Sequence, residues 1–236
     1  MDITAIARKA REKAIEHVAA EEAGAQRGSG LVTPKQIRGR AEQEVDARLQ
    51  LLMERMVSGF AALRSQYAAL KGRPSHEATI DFLEEGFFDG KDAALAAHAS
   101  EGDEAVDLRE AWSISLEALS AAHDLAAALV DEGRFEEASN ALFCLLNLAP
   151  DLPELCESLA HAEYHCGRLE DAVRCYCMAY ACDPANPAPL VHAAYCSNKL
   201  GNKEDAREYL DLAEEANRQA GDEQVARDIQ QLRGTL

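Results

Sequence analysis

The chain has 236 residues, 47% of them apolar, with 42 acidic side chains against 24 basic ones. The formal net charge of −18 repels phosphate backbones, so nucleic acid is a poor candidate partner and basic or amphipathic protein segments are better ones. The sequence holds no apolar run long enough to span a bilayer and no apolar core typical of a signal peptide. All seven cysteines fall between Cys144 and Cys196, in a stretch that reads as helical, where reduced thiols are expected. We therefore expect a cytoplasmic protein.

Residues 2–23 predict a short amphipathic helix, with apolar side chains recurring on one face. Four basic residues on this helix have glutamates close by, so packing against protein is favoured over binding to a membrane surface. Residues 24–33 read as a flexible linker because they are rich in glycine and polar residues.

A long helix is predicted over residues 34–71, beginning with Thr33 as N-cap, Pro34 in the first position and Gln36 completing a capping box. Its apolar residues alternate spacings of four and three, as in a coiled coil, and form a seam of Leu49, Met53, Met56, Phe60, Leu63, Tyr67 and Leu70. The seam needs a partner, either another helix of this chain or a second copy, and the two are equally favoured. Gly59 lies off the seam and costs the helix about 1 kcal/mol relative to alanine.

Residues 72–103 predict short helices within 75–99 and then a boundary, which gives an N-terminal helical region at 1–103 and a second domain at 104–236. A helix over residues 104–117 is expected to open the second domain, and it carries the only tryptophan, Trp112.

A period of 34 residues organises the second domain. Gly133, Gly167 and Gly201 each open a hexapeptide of the form Gly-x-x-acid-acid-Ala, and an alanine stands seven residues before each glycine. The pattern resembles the tetratricopeptide repeat (TPR), a helix-turn-helix unit. The resemblance implies an all-α solenoid of helical hairpins. Its register gives three repeats and one terminal capping helix, at residues 119–152, 153–186, 187–220 and 222–233.

The residue types at the repeating positions have physical reasons. Glycine ends the first helix of each hairpin in a left-handed conformation, and the acid pair meets the positive end of the next helix dipole. Pro150 and Pro184 close the second helices, whereas the matching position of the third repeat is Arg218. We therefore expect the array to end there.

The sequence carries no nucleophile elbow, phosphate loop or dinucleotide-binding glycine pattern. His161 and His165 lie four residues apart and share a helix face, so both could contact one metal ion. The zinc-protease pattern needs glutamate directly after the first histidine, but here Glu163 comes one position later, on another face. Cysteines 175, 177 and 182 lie on the other helix of the hairpin. We interpret these as helix-face histidines and expect no enzyme activity, metal or cofactor, a metal-dependent enzyme being the weak alternative.

Binding is the stronger interpretation, because the first helix of each repeat lines the concave face of a TPR stack. Small, aromatic and neutral polar side chains there suit an extended peptide, since they offer pockets and backbone hydrogen bonds. The groove lacks a cluster of lysines and arginines for a terminal carboxylate. The predicted peptide-binding residues are His123, Ala127, Val130, Glu157, His161, Tyr164, His165, Val191, Tyr195 and Asn198.

Three such repeats with a helix before and after them, in an acidic chain, resemble the class II chaperones of bacterial type III secretion. The resemblance covers residues 104–236; the first hundred residues exceed the family's short N-terminal arm. It implies a bacterial cytoplasmic chaperone or adaptor that holds an extended segment of a client, a translocator or other secretion substrate, in the concave groove. The alternative is a TPR scaffold in which residues 34–71 pair two copies of the chain. A variant of the first hypothesis has the N-terminal helices fold over the groove.

Overall fold

The computed structural model describes residues 3–25, 33–69 and 115–236, and within these ranges all regular structure is helical. The helices are α1 (Ile3–Ala25), α2 (Pro34–Ala69), α3 (Leu116–Asp131), α4 (Phe135–Leu148), α5 (Pro153–His165), α6 (Leu169–Cys182), α7 (Ala188–Lys199), α8 (Lys203–Ala220) and α9 (Glu223–Arg233). None of the helices in the described ranges is long and apolar enough to cross a membrane.

Helices α3 to α8 form the three predicted hairpins. The glycines of the repeat have φ angles of 75° at Gly133, 79° at Gly167 and 84° at Gly201, a conformation that costs side-chain-bearing residues about 1–2 kcal/mol. The acid pairs lie in the first turns of α4, α6 and α8, as predicted. All six repeating alanines are fully buried where the helices cross, namely Ala126, Ala138, Ala160, Ala172, Ala194 and Ala206. The all-α fold class, a solenoid of helical hairpins, is therefore confirmed.

The third repeat ends differently from the first two, because proline is missing. Helix α8 runs for 18 residues against 14 in α4 and α6, passes Arg218 and stops at Gly221 with a φ of 71°. The Asp222 carboxylate then caps α9 by accepting hydrogen bonds from two backbone N–H groups. Val225, Ile229 and Leu232 of α9 are buried in a terminal core with α7 and α8, so α9 covers the open end of the stack.

Helices α1 and α2 form a hairpin of their own. The capping box opens α2 as predicted: Thr33 N donates to Gln36 Oε1 at 2.9 Å, and Gln36 N donates to Thr33 Oγ1 at 3.3 Å. A small apolar core of Ile15, Ala41 and Val45 joins the two helices. Exposed ion pairs such as Arg11 to Asp46 at 2.6 Å flank that core and add little stability individually.

The C-terminal half of α2 packs mostly on α4 and less on α3. Met56, Phe60 and Leu63 of the predicted seam are buried in the same core as the first two repeats. Leu49 packs instead beside the small core shared with α1. These seam residues are therefore covered by other helices of the same chain.

Gly59 corrects a sequence expectation. We expected a position off the seam that only weakens the helix, but Gly59 is buried where α2 crosses α4. A Cβ atom there would lie inside contact distance of the Asn140 carbonyl oxygen, 2.8 Å from the carbonyl carbon and 3.0 Å from Cys144 Cβ. Glycine at this position therefore allows the two helices to approach.

Helix α3 also starts differently from the expectation. We predicted one helix over residues 104–117, but Ser115 is extended, and its hydroxyl accepts a hydrogen bond from Ala118 N at 3.1 Å as the N-cap of α3. A serine side chain at this position competes with a continuous helix. The central part of the linker, Leu70, the short helices within 75–99, Trp112 and the boundary at 103/104 lie outside the described residues.

Candidate functional site

A cavity of 420 Å³ opens on the face of the stack formed by α5 and α7. Helix α5 supplies four of its lining residues, α7 supplies three and α6 supplies one, and together they are Glu157, Ser158, His161, Tyr164, Tyr176, His192, Tyr195 and Cys196. Five of these eight carry aromatic or imidazole rings, which give a binding surface of large contact area and low conformational entropy. We call this cavity the groove cavity.

Lys199 contacts two of the tyrosines that line the groove cavity. Lys199 Nζ lies 4.7 Å from the ring centre of Tyr164 and 5.0 Å from that of Tyr195, and it donates a hydrogen bond to Tyr164 Oη at 2.6 Å. This hydrogen bond, followed by one from Tyr195, lowers the pKa of the Tyr164 phenol. Hydrogen bonds of Lys199 with Tyr164 and then with Tyr195 raise the pKa of Lys199. The ammonium group therefore stays charged between two aromatic faces, a favourable cation–π arrangement.

The groove cavity also has an acidic residue in its lining. Glu157 accepts a hydrogen bond from Asn186 Nδ2 at 3.0 Å. Partial burial raises the pKa of the Glu157 carboxyl, and the negative charges of Glu154 and Asp183 add to the effect. The ring of Tyr176 stacks on His192 with centroids 5.2 Å apart. The groove cavity thus has a carboxylate in its lining, and the Lys199 ammonium lies against its two tyrosines Tyr164 and Tyr195.

Two histidines line the edge of the groove cavity on α5. His161 Nε2 and His165 Nε2 are 3.0 Å apart, within hydrogen-bonding distance. The Phe135 ring stacks on His165 at a centroid distance of 4.2 Å and an interplanar angle of 9°. Partial desolvation lowers the pKa of His161, and the nearby His165 and His192 lower it further. The His161 imidazole is therefore neutral at pH 7.

The structure brings four predicted residues into the groove cavity, namely Glu157, His161, Tyr164 and Tyr195, and it places His165 beside them. His123 lies next to this group, since its Nε2 is 2.8 Å from Ser158 Oγ. Asn198 Nδ2 donates instead to Thr235 Oγ1 at 3.5 Å.

The remaining predicted residues lie away from the groove cavity. Ala127 and Val130 are half-buried on α3, with Val130 packed against the core. Val191 is only 8% exposed and packs in the terminal core, while its neighbour His192 lines the cavity instead.

Sequence reasoning missed Ser158, Tyr176, His192, Cys196 and Lys199. It took groove residues from first helices only, which excluded Tyr176 on the second helix of its repeat. Helical phase would have found Lys199, which follows Tyr195 by four residues and therefore lies on the same face.

The opposite face of α5 meets α2. A second cavity of 530 Å³ lies between α2, α4, α5 and α6, and its lining includes Leu159 and Glu163. The Glu163 carboxylate is 1% exposed; it accepts hydrogen bonds from Arg55 Nη2 at 2.7 Å and Ser139 Oγ at 2.9 Å, and it is paired with Arg168. Helix α2 therefore packs on the face of the stack away from the groove cavity, so the described N-terminal helices leave that cavity uncovered.

No protein-family model matches this sequence, and no curated protein matches it. Solved structures do match. A chain of the CopN-Scc3 complex aligns over 68% of this chain and 98% of its own length, with 15% identity and a TM-score of 0.56. A type III secretion complex from Aeromonas hydrophila aligns over 65% and 91%, with 20% identity and a TM-score of 0.50. The translocator chaperone SycD of Yersinia enterocolitica aligns over 55% and 95%, with 22% identity and a TM-score of 0.48.

Identities of 15–20% at TM-scores of 0.50–0.56 reveal a common backbone arrangement. That likeness agrees with the 34-residue period, the left-handed glycines and the buried alanines of the three hairpins. The described part of this chain therefore has the helical-hairpin solenoid fold of TPR proteins.

Proposed function

We propose that this protein is a non-enzymatic chaperone or adaptor that holds an extended segment of a client protein in the groove cavity. The observation that carries the proposal is the set of rings on α5 and α7, above all Tyr164 and Tyr195, whose centroids are 5.9 Å apart. Tyr195 is 42% exposed, so its ring is available for contact with a ligand.

The chemistry of the groove cavity suits a peptide better than a small reactive substrate. Hydroxyl, imidazole and carboxylate groups from Tyr164, His161 and Glu157 can bond a peptide backbone, while the ring faces cover apolar side chains. The cavity volume of 420 Å³ fits a few side chains of a longer segment.

The client that we propose is a translocator subunit or another substrate of a bacterial type III secretion system, held in the cytoplasm before export. Two structures that share the fold support this choice, since one is described as a type III secretion complex and the other as CopN-Scc3. The support is likeness of fold together with the ring-lined groove cavity.

The test is co-expression of the chain with translocator proteins encoded in the same genome, followed by co-purification. We expect one of them to stay soluble and bound, and the Tyr164→Ala/Tyr195→Ala variant to lose it. Met178→Ala and Leu212→Ala are matched controls, because both side chains are exposed but neither lines the groove cavity. Equal binding by the double tyrosine variant, or a loss in Met178→Ala alone, would reject the groove cavity as the client site.

A further inference from the structure

The strongest unassigned feature is the pair of imidazoles on α5. His161 and His165 lie one helical turn apart, and their Nε2 atoms approach to 3.0 Å. Both side chains are exposed, so the pair is open to solvent. The two imidazoles contact each other and the rings of Phe135 and Tyr164.

The rings are held in place by their neighbours. Phe135 stacks on His165, and its ring meets His161 edge-on at a centroid distance of 6.5 Å. Tyr164 packs edge-on against His165 at 5.1 Å. Histidine rings fixed in this way lose little side-chain entropy when they bind a ligand, which favours chelation.

The separation of the two nitrogens matches two neighbouring ligand positions on one ion. With metal–nitrogen distances of about 2.0–2.1 Å, as in zinc-bound imidazole, a nitrogen–nitrogen separation of 3.0 Å gives an angle of about 95° at the metal. An angle near 90° is that of adjacent positions in the square-planar or tetragonal sites of Ni²⁺ and Cu²⁺, both of which bind imidazole well.

We propose that His161 and His165 chelate one divalent ion of the Ni²⁺ or Cu²⁺ type through their Nε2 atoms at the edge of the groove cavity. The inference is independent of the proposed client. The described residues bring no three histidine, cysteine or acidic groups together. Water therefore fills the remaining coordination positions.

Chelation needs the Nε2 lone pairs of both rings. The ring that donates the shared hydrogen bond therefore carries its proton on Nδ1 when the ion is bound.

The experiment titrates the untagged full chain with NiCl₂ by calorimetry at pH 7.4 in a non-coordinating buffer. We expect one Ni²⁺ per chain and at least about a tenfold loss of affinity in His161→Gln and in His165→Gln. Mutation of residues that only hydrogen-bond to metal ligands already lowers metal affinity about 10–100-fold, so loss of a ligand itself should cost no less. His192→Gln and Cys182→Ser are the controls, a second groove histidine and an exposed thiol, and both should bind Ni²⁺ as the wild type does.

A second measurement reads the ligands directly. Cu²⁺ bound to the wild type should show an electron paramagnetic resonance spectrum with splitting from two imidazole nitrogens, and His165→Gln should reduce this to one. Absence of Ni²⁺ binding by the wild type would overturn the proposal. So would full retention of affinity in both glutamine variants, or an equal loss in His192→Gln or Cys182→Ser. Circular dichroism of each variant confirms that a loss of binding is not a loss of fold.

Discussion

The crossing of α2 and α4 at Gly59 can be tested by adding a single methyl group. In Gly59→Ala the new Cβ would lie 2.8 Å from the Asn140 carbonyl carbon and 3.0 Å from Cys144 Cβ. The nearest obstacle is main chain of α4, which cannot rotate away as a side chain would. Overpacking of this kind costs about 1–3 kcal/mol, and the gain in helix propensity returns about 1 kcal/mol. We expect a net loss of about 1 kcal/mol or more, or a fall in Tm of about 2–4 °C for each kcal/mol.

Gly39 is the matched control in the same helix. A Cβ at Gly39 meets nothing within 4 Å, so Gly39→Ala should gain about 1 kcal/mol from propensity alone. The assay is urea unfolding of the full chain, followed by circular dichroism at 222 nm and compared as midpoints. The two variants should therefore move the midpoint in opposite directions. A Gly59→Ala protein as stable as Gly39→Ala would refute the close crossing.

Three further predictions concern single side chains. Glu163→Ala leaves Arg55 and Arg168 without their buried carboxylate and should lower the free energy of unfolding by about 3 kcal/mol in urea denaturation. Burial lowers the pKa of His123, so the unfolded chain binds a proton that the folded chain does not. The free energy of unfolding is therefore unaffected by this histidine above about pH 6.5 and decreases as the pH falls below that value. Without the imidazole, His123→Gln should show a smaller fall of Tm between pH 7.5 and 5.5. Cys182 is the one exposed thiol of the seven cysteines, so a disulfide reagent at pH 8 should modify one thiol per folded chain quickly.

Each of these predictions has a control. Arg174→Ala breaks an exposed ion pair and should change stability by less than about 1 kcal/mol, so an equal loss in Arg174→Ala and Glu163→Ala would contradict the buried network. For His123 the control is the wild type in the same buffers, and an equal fall of Tm in the wild type and in His123→Gln would contradict the role of His123. Cys182→Ser should abolish the fast thiol reaction, and persistence of that reaction would show that another cysteine is accessible.

The repeat domain could be predicted because its signals are local. Left-handed glycine, first-turn acids and buried alanine each act within a few residues, and a period of 34 repeats them three times. The sequence also predicted the end of the array, because Arg218 replaces the proline of the other repeats. It did not predict that Gly221 ends α8. Local interactions that recur at a fixed spacing can therefore be predicted from the sequence.

The place of α2 could not be predicted, because it depends on contacts between residues far apart in the chain. The heptad seam shows that Met56 and Phe60 need a partner but does not identify it. Arg55 lies 108 residues from Glu163, the carboxylate that it meets. Gly59 looked like a defect because its neighbour, Asn140 of α4, becomes visible only when the two helices cross.

The groove cavity was predicted in part for a similar reason. The rule that first helices line the concave face found Tyr164 and Tyr195. It also counted Val191, which stands 34 residues after Glu157, but Val191 packs in the terminal core and the next residue, His192, lines the cavity. It also excluded Tyr176, which reaches the cavity from a second helix.

Helix α5 connects the two halves of the molecule through its opposite faces. Glu163 faces α2 and is fixed by Arg55 and Arg168, while the adjacent Tyr164 faces the groove cavity and is fixed by Lys199. Successive residues on a helix point about 100° apart, so a rotation that moves one of these side chains must move the other. The buried carboxylate therefore holds the rotation of α5 that presents Tyr164 and the histidine pair to the groove cavity. Helix α2 therefore supports the groove cavity through Arg55, although it contributes no residue to the lining of the cavity.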